Sequence, residues 1–173
     1  MGYLISNYHL NKGLKEKQAK CSSINKLVSI SKQPFNSLVR GLNYSLGGIM
    51  QTYKLRSVPS PDYPSAPSTN YYSGGYITEL YSSKEFSKYR INSIQIELPA
   101  TMRHDPLTIE KSAKLVAFCI FEFYQVNDFD KNLETLATDS PNKSNLSSLK
   151  EEKLVINYEE DLTKVKSECL LRA

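Results

Sequence analysis

The chain has 173 residues, of which 40% are hydrophobic and 23% charged, an ordinary composition for one globular domain. Its 22 basic and 18 acidic residues give a formal net charge of +4. The basic residues are spread along the chain and do not form the stripe that nucleic-acid binding requires, so we expect no nucleic-acid partner.

The apolar stretches are short. The first residues, MGYLISNYHL, lack the basic flank and apolar core of a signal peptide, so we expect none in this chain, and the localisation stays unknown. The longest apolar run, LVAFCIF at 115–121, is well below the roughly 20 residues of a membrane span. It predicts a buried helix. The three cysteines are widely separated and predict neither a disulfide framework nor a zinc knuckle.

Two helices are predicted in the first quarter of the chain. Residues 22–30 and 35–42 have apolar residues at helical spacing, and Pro34 suits the start of the second. The segment SVPSPDYPSAPSTN follows, with four prolines between residues 59 and 67. Because proline interrupts helices and has no amide N–H for a β ladder, this segment is expected to be a loop or an extended crossing.

The segment INSIQIELP, at 91–99, alternates apolar with polar residues and predicts a strand. Alternate side chains of a strand point to opposite faces, so Gln95 and Glu97 are expected to share one face. The following segment predicts a helix from Pro106 to Tyr124 packed on the sheet, with Asp105 as its cap and proline in its first turn. A strand followed by a long helix predicts an α/β fold.

The composition changes near residue 130, where the chain becomes rich in Ser, Asn, Lys and Leu and poor in aromatics. Such a segment cannot bury enough apolar surface to offset its ordering entropy. We therefore divide the chain into residues 1–130, a partial domain, and residues 131–173, a polar and flexible tail. The last stretch of the tail is either a lone amphipathic helix or a solvated appendage.

An ordered set of motifs resembles the C-terminal half of the N-formylglutamate amidohydrolase family. The motifs are SLGG, VPSP, GGYIT with Tyr81 after it, and QIE with Arg103 downstream. MGYLIS is also similar to the segment that follows the histidine-bearing metal region of this family, so the resemblance covers about residues 1–126. It implies a partial three-layer α/β domain of the zinc-peptidase type, incomplete at the N-terminus.

The resemblance also implies site residues. In this family a metal-bound water attacks an amide carbonyl and a glutamate relays protons, which makes Glu97 the candidate catalytic general base. The alternative is that Glu97 is a structural residue on a half-exposed strand, either facing solvent or paired with Arg90 or Arg103. The implied substrate-binding residues are Gly74, Gly75, Thr78, Tyr81, Gln95 and Arg103.

The chain departs from the family at three points, one of which is Ser82, where a glycine is usual. The family commonly has an arginine after GGYIT that can clamp a substrate carboxylate, whereas this chain has Glu79, which would repel one. Zinc is implied for the complete family domain, but a catalytic zinc needs about three protein ligands. The chain has two histidines, His9 and His104, without ligand-like spacing, so we expect no cofactor bound by this chain itself.

Three functions therefore stay open at the level of sequence. The first is the C-terminal portion of a metal-dependent amidohydrolase, inactive alone, whose substrate is a small-molecule amide such as an N-acylated amino acid. The second is a non-catalytic remnant that binds a ligand or a partner. The third is an interaction protein that uses its polar tail. An incomplete domain leaves apolar surface uncovered, so partner binding or self-association through that surface is also expected.

Overall fold

The computed structural model describes residues 1–67 and 71–127, so the predicted tail at 131–173 lies outside the described residues. The described residues are mainly helical. All the α-helices except the last have only six or seven residues. They are α1 (Asn7–Lys12), α2 (Glu16–Cys21), α3 (Asn25–Ile30), α4 (Phe35–Arg40), α5 (Leu46–Thr52), α6 (Tyr76–Tyr81) and α7 (Pro106–Val126), with a 3-10 helix at Ala100–Met102.

The expected α/β fold is wrong. Within residues 1–67 and 71–127 there is no sheet, and the β pairing consists of one isolated antiparallel bridge between Gly2 and Gln95. The N-terminal segment cannot extend this bridge into a ladder, because Leu4 has a φ of 58° and α1 begins at Asn7. The predicted strand at 91–98 is therefore irregular on both sides of Gln95, and the three-layer domain is not supported.

Three of the predicted helices are confirmed in position. α3 lies within 22–30, and α4 begins directly after Pro34. α7 begins at Pro106, and the Asp105 carboxylate accepts a hydrogen bond of 2.9 Å from the Thr108 amide. This cap satisfies an amide that has no partner within the helix. The Thr108 hydroxyl donates to the same carboxylate, and the two hydrogen bonds hold the pKa of Asp105 below its usual range.

The most completely buried apolar side chains, such as Tyr3, Leu27 and Leu38, lie in the N-terminal segment, α3 and α4, and a second part of the core lies where α7 packs on α5. Phe118 and Cys119 are buried on the inner face of α7. The ring of Tyr53, directly after α5, meets Phe118 edge to face at 5.1 Å, and its hydroxyl donates to Glu122. Close packing around α5 requires Gly47, because a Cβ there would lie 1.9 Å from the Pro59 carbonyl oxygen. The contacts of α5 thus connect the long helix to the proline-rich loop.

The outer face of α7 carries apolar side chains in contact with solvent. Ile109, Ile120 and Tyr124 are 44%, 43% and 38% exposed, and their spacing places them along one stripe. This is uncovered apolar surface of the kind expected from the sequence, and self-association through it stays a prediction.

Among the described helices, none combines the length and the apolar content needed to cross a bilayer.

Replacing Phe118 with alanine should lower the free energy of unfolding by about 3–5 kcal/mol, because it removes a buried ring from the contact between α5 and α7. Ile120→Ala is the matched control, because Ile120 lies two residues further along the same helix but on its exposed side. This substitution should cost far less. Urea denaturation followed by circular dichroism measures both. Equal losses for the two variants would contradict the assigned core.

Candidate functional site

Gln95 joins the N-terminal segment to the start of α6. Its backbone exchanges two hydrogen bonds with Gly2, of 2.9 and 2.8 Å. Its side-chain oxygen accepts from the Gly75 amide at 2.6 Å and from the Thr78 hydroxyl at 3.1 Å. Three segments distant in sequence are therefore held together at one residue, the N-terminal segment through the backbone of Gln95 and α6 through its side chain.

The same amide orients Glu97. Gln95 Nε2 donates a 2.6 Å hydrogen bond to Glu97 Oε1. A glutamine amide has one acceptor end and one donor end, and here the acceptor end is occupied by α6. The NH2 group must therefore face Glu97, which gives that exposed carboxylate a defined position. The prediction that Gln95 and Glu97 lie on one face agrees with this contact, although no sheet produces it.

The two glycines before α6 permit a close approach of the chain to itself. Gly74 has a φ of 134°, which side-chain-bearing residues rarely adopt, and a Cβ there would lie 2.8 Å from Leu4 Cδ2. A Cβ at Gly75 would lie 2.8 Å from the Tyr72 hydroxyl and 3.1 Å from Gln95 Oε1. The absence of side chains at both glycines therefore allows the close approach in which the Gly75 amide donates to Gln95.

Glu97 borders a cleft of about 760 Å³, a volume in the range of small-molecule sites. Arg56 also lines the cleft, and its guanidinium lies 4.3 Å from the ring centroid of Tyr63, a residue outside the cleft lining. The cleft lining thus includes one acidic residue and one arginine among largely apolar walls. The apolar walls include Met50, Leu98, Met102 and Val116, and further polar lining comes from Lys54, Tyr71 and Tyr72.

The Met1 amino group also lines the cleft and donates to the Val58 carbonyl. Burial lowers its pKa to about 6, and the nearby Glu97 carboxylate acts in the opposite direction. The Tyr71 hydroxyl donates to the Met1 carbonyl at 2.8 Å, and burial raises the pKa of Tyr71. Tyr71 therefore stays neutral at physiological pH and holds the first residue in the cleft wall.

Two of the predicted substrate-binding residues lie apart from this cluster. The Tyr81 ring contacts Tyr89, with centroids 5.1 Å apart, and Arg103 donates to the Leu98 carbonyl at 2.9 Å. Neither lines the cleft. The ion pairs within the described residues are Lys20–Glu85, Lys84–Glu79 and Lys114–Glu110, so Glu97 forms none with Arg90 or Arg103 there.

Sequence reasoning missed Arg56, Tyr71 and Tyr72. The two tyrosines stand directly before the glycine motif, and their proximity to it was the available signal. No local pattern marks Arg56. It enters the cleft because the chain turns after α5, and that turn follows from tertiary packing.

The zinc that the resemblance implies does not fit the described residues. Across residues 1–67 and 71–127, no group of three His, Cys, Asp or Glu side chains comes together as a zinc site would require. His9 Nδ1 lies 3.0 Å from the Ser6 hydroxyl at the start of α1, and neither histidine lines the cleft. No metal-dependent step is therefore assigned to Glu97.

Comparisons with protein-family models, with curated proteins and with solved structures gave no match to this chain. The similarity to the N-formylglutamate amidohydrolases therefore rests on the motifs and their order alone.

Two substitutions at Gln95 separate its acceptor role from its donor role. Gln95→Leu removes the acceptor of Gly75 and Thr78 and should cost about 1–3 kcal/mol of unfolding free energy at any pH. Gln95→Glu keeps an acceptor oxygen but places a second carboxylate beside Glu97. Like-charge repulsion raises the pKa values of such a pair in the folded state, so this loss of stability should shrink as the pH falls toward about 4.

Denaturant titrations of both variants between neutral and acidic pH measure the difference. A pH-independent loss for Gln95→Glu would show that its side chain does not face Glu97.

Proposed function

We propose that the folded unit binds a small molecule with an amide next to a carboxylate, such as an N-acylated amino acid, in the cleft beside Glu97. The hydrogen bonds from Gly75 to Gln95 and from Gln95 to Glu97 carry the proposal, because they fix an acceptor carboxylate at the cleft. A carboxylate so placed can accept the N–H of a ligand amide through a charge-assisted hydrogen bond.

Arg56, which also lines the cleft, is the proposed partner of the ligand's carboxylate. Arg56 is exposed and its guanidinium lies over the Tyr63 ring. A guanidinium can bind a carboxylate through two parallel N–H donors, and we assign this role to Arg56. The apolar walls around Met50 and Val116 suit an acyl group or an aliphatic side chain. Ligand sites commonly combine such walls with a few polar groups that set orientation.

Glu79, which replaces the arginine of the family motif, is no obstacle to an anionic ligand. Its carboxylate pairs with Lys84 at 2.5 Å, and that hydrogen bond lowers the pKa of Glu79. The side chain does not line the cleft. The repulsion expected from the sequence therefore falls outside the proposed site, and Arg56 takes the role of the missing arginine.

The proposal is one of binding. Hydrolysis of an amide by Glu97 requires an activated water, and the described residues do not gather the ligands of a metal that would acidify one. The second candidate function is that of the C-terminal portion of a metal-dependent amidohydrolase. The Gln95–Glu97 contact within the QIE motif favours it. It requires metal ligands from outside the described residues.

Titration of the full chain with N-formyl-L-glutamate, followed by isothermal calorimetry, tests the proposal. Glu97→Gln and Arg56→Gln should each weaken binding by about tenfold, because each replaces a charged partner of the ligand with a neutral one. Glu85→Gln is the matched control, since Glu85 pairs with Lys20 and does not line the cleft.

Binding that is absent, or unchanged in both cleft variants, would contradict the proposal. Release of formate by the wild type with added zinc, lost in Glu97→Gln, would establish the amidohydrolase candidate instead.

A further inference from the structure

A loop between α6 and the QIE segment holds a phenylalanine in solvent. The loop, Lys84–Ile91, is called here the basic aromatic loop. Phe86 is 96% exposed and has a φ of 68°, in the left-handed region that bulky residues rarely occupy. Phe86 thus combines an unusual backbone conformation with an almost fully exposed ring.

Both ends of the basic aromatic loop are fixed to other parts of the fold. The Glu85 amide donates to the Lys20 carbonyl at 2.7 Å, and the Ile91 amide donates to the Tyr81 carbonyl at 2.8 Å. Before the loop, the Ser83 amide donates to the Ser23 carbonyl. The position of Phe86 therefore follows from contacts made by its neighbours along the chain.

The basic aromatic loop also carries two exposed cations close to Phe86 in sequence. Lys88 and Arg90 are exposed, and neither forms an ion pair within the described residues. The Lys88 ammonium lies 5.0 Å from the ring centroid of Tyr89, which in turn contacts Tyr81. The acidic neighbours Glu79 and Glu85 are each paired with a lysine, so the net charge displayed by the loop is positive.

Apolar and aromatic side chains extend this surface onto α6. Ile77 is 71% exposed, Tyr76 is 77% exposed, and Ile91 at the end of the loop is 52% exposed. Aromatic side chains with a polar tip favour the boundary between water and lipid. The combination of a protruding apolar ring, tyrosines and unpaired cations is complementary to an anionic bilayer surface.

We propose that the basic aromatic loop docks on an anionic membrane surface, with Phe86 at the level of the acyl boundary and Lys88 and Arg90 at acidic headgroups. A protein partner would need a pocket matched to the ring, whereas a fluid bilayer accepts it without one. Single-stranded nucleic acid is less suited, because it is bound along a longer positive groove than these two cations provide.

The chain contains no tryptophan, so Phe86→Trp supplies a single fluorescent probe at the tip of the loop. Its emission should shift to shorter wavelength, and brominated lipid should quench it, with vesicles that contain phosphatidylserine but not with phosphatidylcholine alone. Leu107→Trp, at a 68% exposed position on α7, is the matched control and should show neither effect.

Sedimentation of the full chain with the same vesicles measures the contribution of each group. Lys88→Gln and Arg90→Gln should each weaken binding by about fivefold, and more salt should weaken it further. Phe86→Ser should weaken it by on the order of tenfold, while Lys111→Gln on α7 leaves it unchanged. Circular dichroism confirms that each variant is folded.

No vesicle binding, or binding indifferent to Phe86, would overturn the proposal. So would binding to single-stranded RNA in place of vesicles with the same dependence on Lys88 and Arg90.

Discussion

The candidate site depends on hydrogen bonds at both ends of the Gln95 side-chain amide, which join α6 to Glu97. Gln95 Oε1 is occupied by the first turn of α6, so its NH2 group has one direction left, toward Glu97. The backbone of Gln95 is at the same time paired with Gly2, which brings the N-terminal segment into the cleft wall. The position of the Glu97 carboxylate therefore depends on the contacts that Gln95 makes with Gly75 and Thr78.

Side chains from the segment after α6 supply hydrogen-bond partners for the first amides of α3, which have none within the helix. The Leu27 amide donates to Asn92 Oδ1, and the Lys26 amide donates to the Ser83 hydroxyl, both at 2.9 Å. Ser83 in turn donates to Asn92, so α3 and the segment after α6 share one polar cluster. Buried backbone groups need such partners, and short Ser and Asn side chains can provide them where no strand lies alongside. These hydrogen bonds hold the start of α3, a helix of six residues, against the segment after α6.

The sequence predicted local features better than their assembly. The cap at Asp105 and the proline after it define the start of α7 through contacts within one turn, and these need no distant residue. The alternation at 91–98 indicated a strand, but a strand also needs a neighbouring backbone, and the available neighbour is a single residue, Gly2. The residues that the motifs singled out as site residues include Gly75, Thr78, Gln95 and Glu97, which are joined by hydrogen bonds in the structure, while their role in a site stays a prediction. Arg56 could not be predicted, because its place in the cleft depends on packing between distant segments.

Native-state hydrogen exchange at the amides of Gly2, Gly75 and Gln95 tests most directly whether Gln95 is the junction of the site. All three amides are hydrogen-bonded through this residue, so each should exchange well below its unprotected rate and the three should open with similar free energy. Exchange of the Gly75 amide at its unprotected rate, while the core amides of α7 stay protected, would contradict the account.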